Sequence, residues 1–262
     1  MKLFTALLAL TSLCTTIAQL VDDVEFQWSS AKMPFPVSDV MANYMEGPNG
    51  DEDGFVIITG GCDAVNGNER ANFGEDDLFS CFSSGNKTLK FDPFTESFET
   101  MTDMLHERQR HGGAVIDGEL YVIGGRDSND DLVAAIDSFD PETNAWTTRG
   151  EVPSNLLTSD LTAWAWKDYL YVAGGFLADY TAVGVTYRIK LSRDTTDLQF
   201  ETLATSPHPR GDYHAVTLFG YAYLAGGITH TSLWCEALTT AERYHMESDT
   251  WEQIQDLEIG RA

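Results

Sequence analysis

The sequence predicts an all-β chain of repeated antiparallel sheets, and three observations predict it. Four apolar runs each end in a glycine pair: Phe55 to Gly60-Gly61, Leu120 to Gly124-Gly125, Leu170 to Gly174-Gly175 and Tyr221 to Gly226-Gly227. The pairs stand 64, 50 and 52 residues apart, a propeller-type period. After three of the pairs comes an aromatic-led turn: Phe91-Asp-Pro-Phe-Thr-Glu-Ser-Phe98, Phe139-Asp-Pro-Glu-Thr-Asn-Ala-Trp146 and Tyr244-His-Met-Glu-Ser-Asp-Thr-Trp251. Strand-forming residues dominate throughout, and no long window carries apolar residues at helical spacing.

In chain order, residues 1–18 come first, with Lys2, the apolar run Leu3 to Leu10 and the small-residue end Thr16-Ile-Ala18. That is the pattern of a secretory signal peptide, with cleavage expected after Ala18. The run is too short to span a bilayer, and no second one follows, so no membrane insertion is expected. Residues 19–53 form a lead-in, in which Glu25-Phe-Gln-Trp28 is read as an outer strand that completes the last blade. Blades are expected at about 54–101, 102–151, 152–205 and 206–256, with the start of another at 257–262.

Within each blade the run before the glycine pair is expected to be buried on both faces. Two glycines then let the chain leave the strand where a Cβ would clash. In the turns, Pro presets φ, and Asp and Thr hydrogen-bond the nearby backbone. Trp146 and Trp251 open the return strand and are expected to pack on the neighbouring sheet. The third repeat is degenerate, running from Tyr187-Arg-Ile-Lys190 to Leu198-Gln-Phe200. Once Cys14 leaves with the signal, Cys62, Cys81 and Cys235 remain. Cys62 and Cys81 bracket one loop and are the expected disulfide, which leaves Cys235 as the odd thiol.

These doublets and turns resemble the kelch repeat, over about residues 20 to 262. The second and fourth repeats match well, the first less so, and the third departs. Also similar are Arg108-Gln-Arg-His111 before Ala114 and Pro209-Arg-Gly-Asp-Tyr-His214 before Ala215, where the third repeat has Ser159-Asp160. The resemblance implies a kelch-type β-propeller of about four four-stranded blades. Kelch rings close with more blades than that, so an incomplete ring is expected.

The balance of 41 acidic and 16 basic residues, a formal charge of −25, argues against nucleic acid and anionic membranes. Asp127-Ser-Asn129-Asp130-Asp131 is similar to the start of a calcium loop. It has Leu132 in place of the glycine and Ser138 in place of the closing glutamate, so solvated acidic loops are the main reading. The six histidines show no paired zinc-ligand spacing. Asn86-Lys-Thr88 is an N-glycosylation sequon. Arg108, Arg110 and Arg210 either line one face and meet an acidic partner or bond neighbouring blades.

No catalytic set is found and no cofactor is expected. The expected function is a secreted scaffold that binds a protein or a glycan, with the 63–80 insertion and the 228–240 segment in the contact surface. The alternatives are the propeller domain of a secreted carbohydrate-active enzyme, similar to galactose oxidase or a sialate mutarotase, or of a larger cell-surface protein.

Overall fold

The computed structural model describes residues 30–47, 49–63, 81, 83–194, 197–230 and 235–258. The expected signal peptide, the Glu25–Trp28 strand, nearly all of the 63–80 insertion, Trp234 and the last residues lie outside the described residues. From Met33 onward the described residues form one compact unit. Among them no helix is long and apolar enough to cross a membrane.

The unit is a propeller of four-stranded antiparallel sheets. A short ribbon pairs β1 (Val37–Ser38) with β4 (Cys62–Asp63). Blade one runs from its innermost strand β2 (Met41–Gly47) through β3 (Gly50–Thr59) and β5 (Thr88–Asp92) to β6 (Ser97–Thr100). Blade two comprises β7 (Gly112–Ile116), β8 (Glu119–Ile123), β9 (Ala135–Asp140) and β10 (Ala145–Glu151). Blade three comprises β11 (Thr162–Trp166), β12 (Tyr169–Ala173), β13 (Thr186–Lys190) and β14 (Phe200–Thr202). Blade four comprises β15 (Ala215–Leu218), β16 (Tyr221–Ala225), β19 (Ala241–His245) and β20 (Thr250–Gln253). It also carries a ribbon of β17 (Ile228–His230) and β18 (Cys235–Ala237). Sheet one begins at Met41, inside the 19–53 stretch read as a lead-in. The strand is marked only by its alternation, with Met41 and Met45 turned into the protein.

Burial on both faces holds for β8, whose five residues are all buried, and nearly so for β12. It does not hold for the Phe55–Thr59 run of β3 or for β16, where burial alternates. The difference follows from position. Each inner sheet packs between two others, and blades one and four each have a described neighbouring blade on one side alone. Val216, Leu218 and Phe219 therefore lie exposed on and beside β15.

Three apolar clusters fill the blade joints. Ile57, Leu120, Phe139 and Trp146 join blades one and two. Ile116, Leu161, Leu170 and Ile189 join blades two and three. Trp164, Tyr171, Leu224 and Tyr244 join blades three and four, with Trp164 stacked on Tyr171 at 5.5 Å. The two return-strand tryptophans also bond across a joint. Trp146 Nε1 donates to the Thr102 carbonyl at 3.0 Å, and Trp251 Nε1 to that of Ala204 at 2.8 Å.

The glycine pairs are joint pieces as well. The second glycine of the first three pairs donates its N–H to the residue leading into the next blade: Gly61 to the Arg108 carbonyl, Gly125 to that of Thr158 and Gly175 to that of Arg210. A Cβ on Gly124 would collide with the Thr158 carbonyl and with Leu161, and one on Gly125 with the Gln109 carbonyl. Both have positive φ, so an L side chain would be strained as well as crowded.

Candidate binding site at the channel mouth

Just before each innermost strand stands a residue in the left-handed region: Asp39 (φ 54), Arg110 (φ 55), Asp160 (φ 56) and Asp212 (φ 55). Asp adopts this region more readily than most residues, whereas Arg110 does so at a cost of roughly 1 kcal/mol. The four are chained by backbone hydrogen bonds. Arg110 N–H donates to the Asp39 carbonyl at 3.1 Å, Asp160 to that of Arg110 at 2.7 Å and Asp212 to that of Asp160 at 3.0 Å. These bonds turn four side chains toward one another at the end of the propeller where the glycine pairs lie.

There they line a cavity of about 200 Å³ together with Val40, His111, Leu161, Tyr213 and His214. A second cavity of about 210 Å³, sharing His111, Leu161 and His214, lies among the innermost strands. Arg110 Nε is 3.5 Å from Asp39 Oδ1 and 3.6 Å from Asp160 Oδ1, within ion-pair range but too long for a hydrogen bond. Both Arg110 Nε and Asp160 Oδ1 are buried without a hydrogen-bond partner. The other oxygen of Asp160 accepts from Ser159 Oγ at 2.7 Å.

Burial pushes the Asp160 carboxyl up to about 7, and the neighbouring Asp212 carboxylate pushes the same way against the pull of Arg110. Burial works against the Arg110 charge, but the carboxylates of Asp160, Asp39 and Asp212 outweigh it and raise the guanidinium. His111, buried beside the Arg108 guanidinium, is held down to about 3, with Nε2 2.8 Å from Thr59 Oγ1.

Strand direction brings the loops after the glycine pairs to this same end. Arg126 fixes two of them. Its Nε donates to Ser159 Oγ, and its two terminal nitrogens donate to the carbonyls of Asp130 and Leu177, at 2.7 to 2.9 Å. The guanidinium also lies 3.9 Å over the Tyr180 ring, and Tyr180 Oη donates to Asp130 at 2.7 Å. The Cys62–Cys81 disulfide, with Cα atoms 5.9 Å apart, ties off the corresponding loop of blade one.

The structure separates the arginines that the sequence groups together. Arg108 and Arg210 are fully buried and bonded within their own blades. Arg108 pairs with Asp137 at 2.6 Å and donates to the Gly124 carbonyl; Arg210 pairs with Glu242 at 2.9 Å and donates to that of Gly226. Arg110 alone of the three reaches the mouth. His106 and His208 contact the same two acids at 2.8 and 2.7 Å.

Asp127 spends its carboxylate on its own loop, accepting the backbone N–H of Asn129 and Asp131. Among the described residues no three His, Cys, Asp or Glu are grouped to hold a metal. Asn86 Nδ2, the atom a glycan would take, reaches the Met104 carbonyl at 3.5 Å, and Thr88 is buried. Sequence reasoning passed over Asp39, Asp212 and Arg126. For Asp39 and Asp212 the available signal was the position itself, two or three places before the innermost strand.

A family model described as "Kelch motif" matches residues 107–152 and 209–258. Kelch-like protein 38 of Rattus norvegicus is 39% identical over 74 residues, 27% of this chain and 13% of the relative. Alpha-scruin of Limulus polyphemus is 33% identical over 81 residues, 31% and 9%. Kelch-like protein 33 of Homo sapiens is 28% identical over 193 residues, 73% and 34%. The matched stretches thus span about a third or less of these relatives. A solved structure, "Structure of YjhT", superposes with a TM-score of 0.70 at 18% identity, covering 92% of this chain and 76% of the other. That likeness concerns the fold.

Proposed function

We propose that this chain, a kelch-repeat β-propeller protein, is a secreted binding scaffold that recognises a protein or glycan partner at the end holding the channel mouth. The observation that carries the reading is the bonding of Arg126, which locks the loops of blades two and three around that mouth. Loops fixed on a rigid sheet framework are the usual carriers of recognition, because little entropy is lost when they bind. The Cys62–Cys81 bridge and the basic-apolar start of the sequence support an oxidising, extracytosolic location.

Photo-crosslinking groups placed one at a time on the purified chain test this. Asn129 and Asp179 sample the mouth-end loops, and Phe94 and Phe219 sample the opposite end. Cross-links to a partner are expected from the first two positions. Cross-links confined to Phe94 and Phe219 would place recognition elsewhere. Deleting residues 63–80 with unchanged partner binding would remove that insertion from the contact surface.

A further inference from the structure

We propose that the channel mouth binds an organic cation, a guanidinium or primary ammonium group, held among Asp39, Asp160 and Asp212. Three carboxylates and one guanidinium surround the cavity, so its field is negative. One carboxylate oxygen, Asp160 Oδ1, is buried with no donor bonded to it, on a side chain only 1% exposed. A carboxylate oxygen taken out of water without a donor costs free energy, and an incoming N–H group removes that cost. Asp212 is exposed on the same rim and can take the remaining N–H groups, while Asp39, which accepts from Ser38 Oγ at 2.6 Å and lies 3.5 Å from Arg110 Nε, adds its charge beside them.

An anion would meet two more carboxylates than guanidinium groups. A metal ion needs several ligand oxygens converging on one point, and among the described residues no three His, Cys, Asp or Glu are grouped to hold one. At about 200 Å³ the cavity has several times the room of one water, about 30 Å³, and so accommodates a planar guanidinium. The overall charge of −25 would speed the approach of any such group.

Proton linkage adds a readout. Burial and the Asp212 carboxylate favour a proton on Asp160 at neutral pH, and a bound cation favours its release. The groups facing Asp160 are Arg110 and His111 of blade two, Asp212, Tyr213 and His214 of blade four, and Asp39 of blade one. Tyr180, from the loop of blade three, acts on Arg110. Affinity should therefore rise from pH 6 to pH 8.

The test is calorimetric titration of the purified chain with arginine ethyl ester, spermidine and an acetylated arginine-containing peptide, with N-acetylglucosamine and glucuronate as neutral and anionic comparisons. Binding of the cations is expected, weakened roughly tenfold by Asp212→Asn and left unchanged by Asp92→Asn at the opposite end. Asp160→Asn should abolish the pH dependence. Preference for the peptide would identify a partner's side chain as the source, and preference for spermidine a free polyamine; both uphold the site.

Absent cation binding, equal loss in Asp92→Asn and Asp212→Asn, or preference for the sugar or the acid would overturn it. The inference rests on the recognition end proposed above, and the two can fail separately. Cation binding that persists while partner cross-links map to Phe94 and Phe219 would sink only the recognition end. Mouth-end cross-links without cation binding would sink only the cation.

Discussion

Alanine at Gly124 should cost much more stability than alanine at Gly226, although the two glycines hold equivalent places in the repeat. Both have positive φ, 67° and 71°, and so share a strain of roughly 1–2 kcal/mol. A Cβ at Gly124 also meets the Thr158 carbonyl and Leu161, whereas at Gly226 the nearest atom is Leu257 Cδ1 at 3.5 Å. Overpacking adds about 1–3 kcal/mol at the first site alone. Urea unfolding of the two variants measures the gap, and equal losses would show that the doublets do not staple one blade to the next. The buried pairs give a second contrast. Asp137→Ala leaves Arg108 charged and unpaired at 0% exposure and should cost about 3–5 kcal/mol. The double change Arg108→Met, Asp137→Leu should recover most of that loss in a thermodynamic cycle. Blade three already does without the ion pair: Thr158 stands where blade two has Arg108, Tyr187 pairs with Val172 as Asp137 pairs with Val122, and Thr158 Oγ1 still reaches the Gly174 carbonyl at 3.0 Å. At this scale the doublets and turn residues were legible because they serve backbone needs repeated in every blade. The roles of Arg108 and Arg110 were not separable, because two arginines two places apart differ only in which way the local backbone turns them.

The strands legible in the sequence were those with a marked end. β8 and β12 stop at a glycine pair, and β10 and β20 carry a tryptophan as their second residue. β2 has neither mark and was absorbed into the lead-in, although Met41 and Met45 face inward from it. The degenerate third blade kept its four strands because packing replaced the missing turn motif. Tyr187 and Ile189 of β13 are both fully buried, and Phe200 of β14 lies 6.1 Å from the Tyr187 ring. The Cys62–Cys81 bridge was legible as a pairing because the two cysteines flank one loop. It closes a chain separation of 19 residues, which in the loop-entropy model corresponds to about 3 kcal/mol. The Cys62→Ser, Cys81→Ser double variant should lose about that much in urea unfolding. A smaller loss would mean that the Ser83 Oγ bond to Asp63, at 2.7 Å, and the Gly85 N–H bond to the Gly61 carbonyl, also at 2.7 Å, hold the loop ends without the bridge.

For the whole molecule, the channel mouth gives stability a pH dependence with two opposed parts. His111 is neutral in the folded state, at about 3 against an ordinary 6.5, because burial and the Arg108 charge disfavour its protonation. The unfolded chain therefore binds the extra proton between about pH 3 and 6.5, and stability rises with pH across that window. Asp160 behaves in the opposite sense. Its carboxyl stands at about 7 against 3.8, so the folded state binds the extra proton between those values and stability falls as pH rises through them. Between about pH 4 and 6.5 the two slopes offset each other. Above that, Asp160 alone continues downward until its folded proton is lost near 7. Thermal unfolding from pH 4 to 8 should therefore show a shallow plateau followed by a decline into neutrality. Asp160→Asn should remove the decline and leave the rise set by His111. His111→Gln should instead expose the full Asp160 slope from pH 4 upward. If Asp160→Asn left the profile unchanged, the mouth carboxylates would be too well solvated to share a proton, and the proton linkage argued for the cation site would fail with them. None of this was legible in the sequence, because Asp39, Arg110, Asp160 and Asp212 lie at least 50 positions apart and meet only where the blades converge.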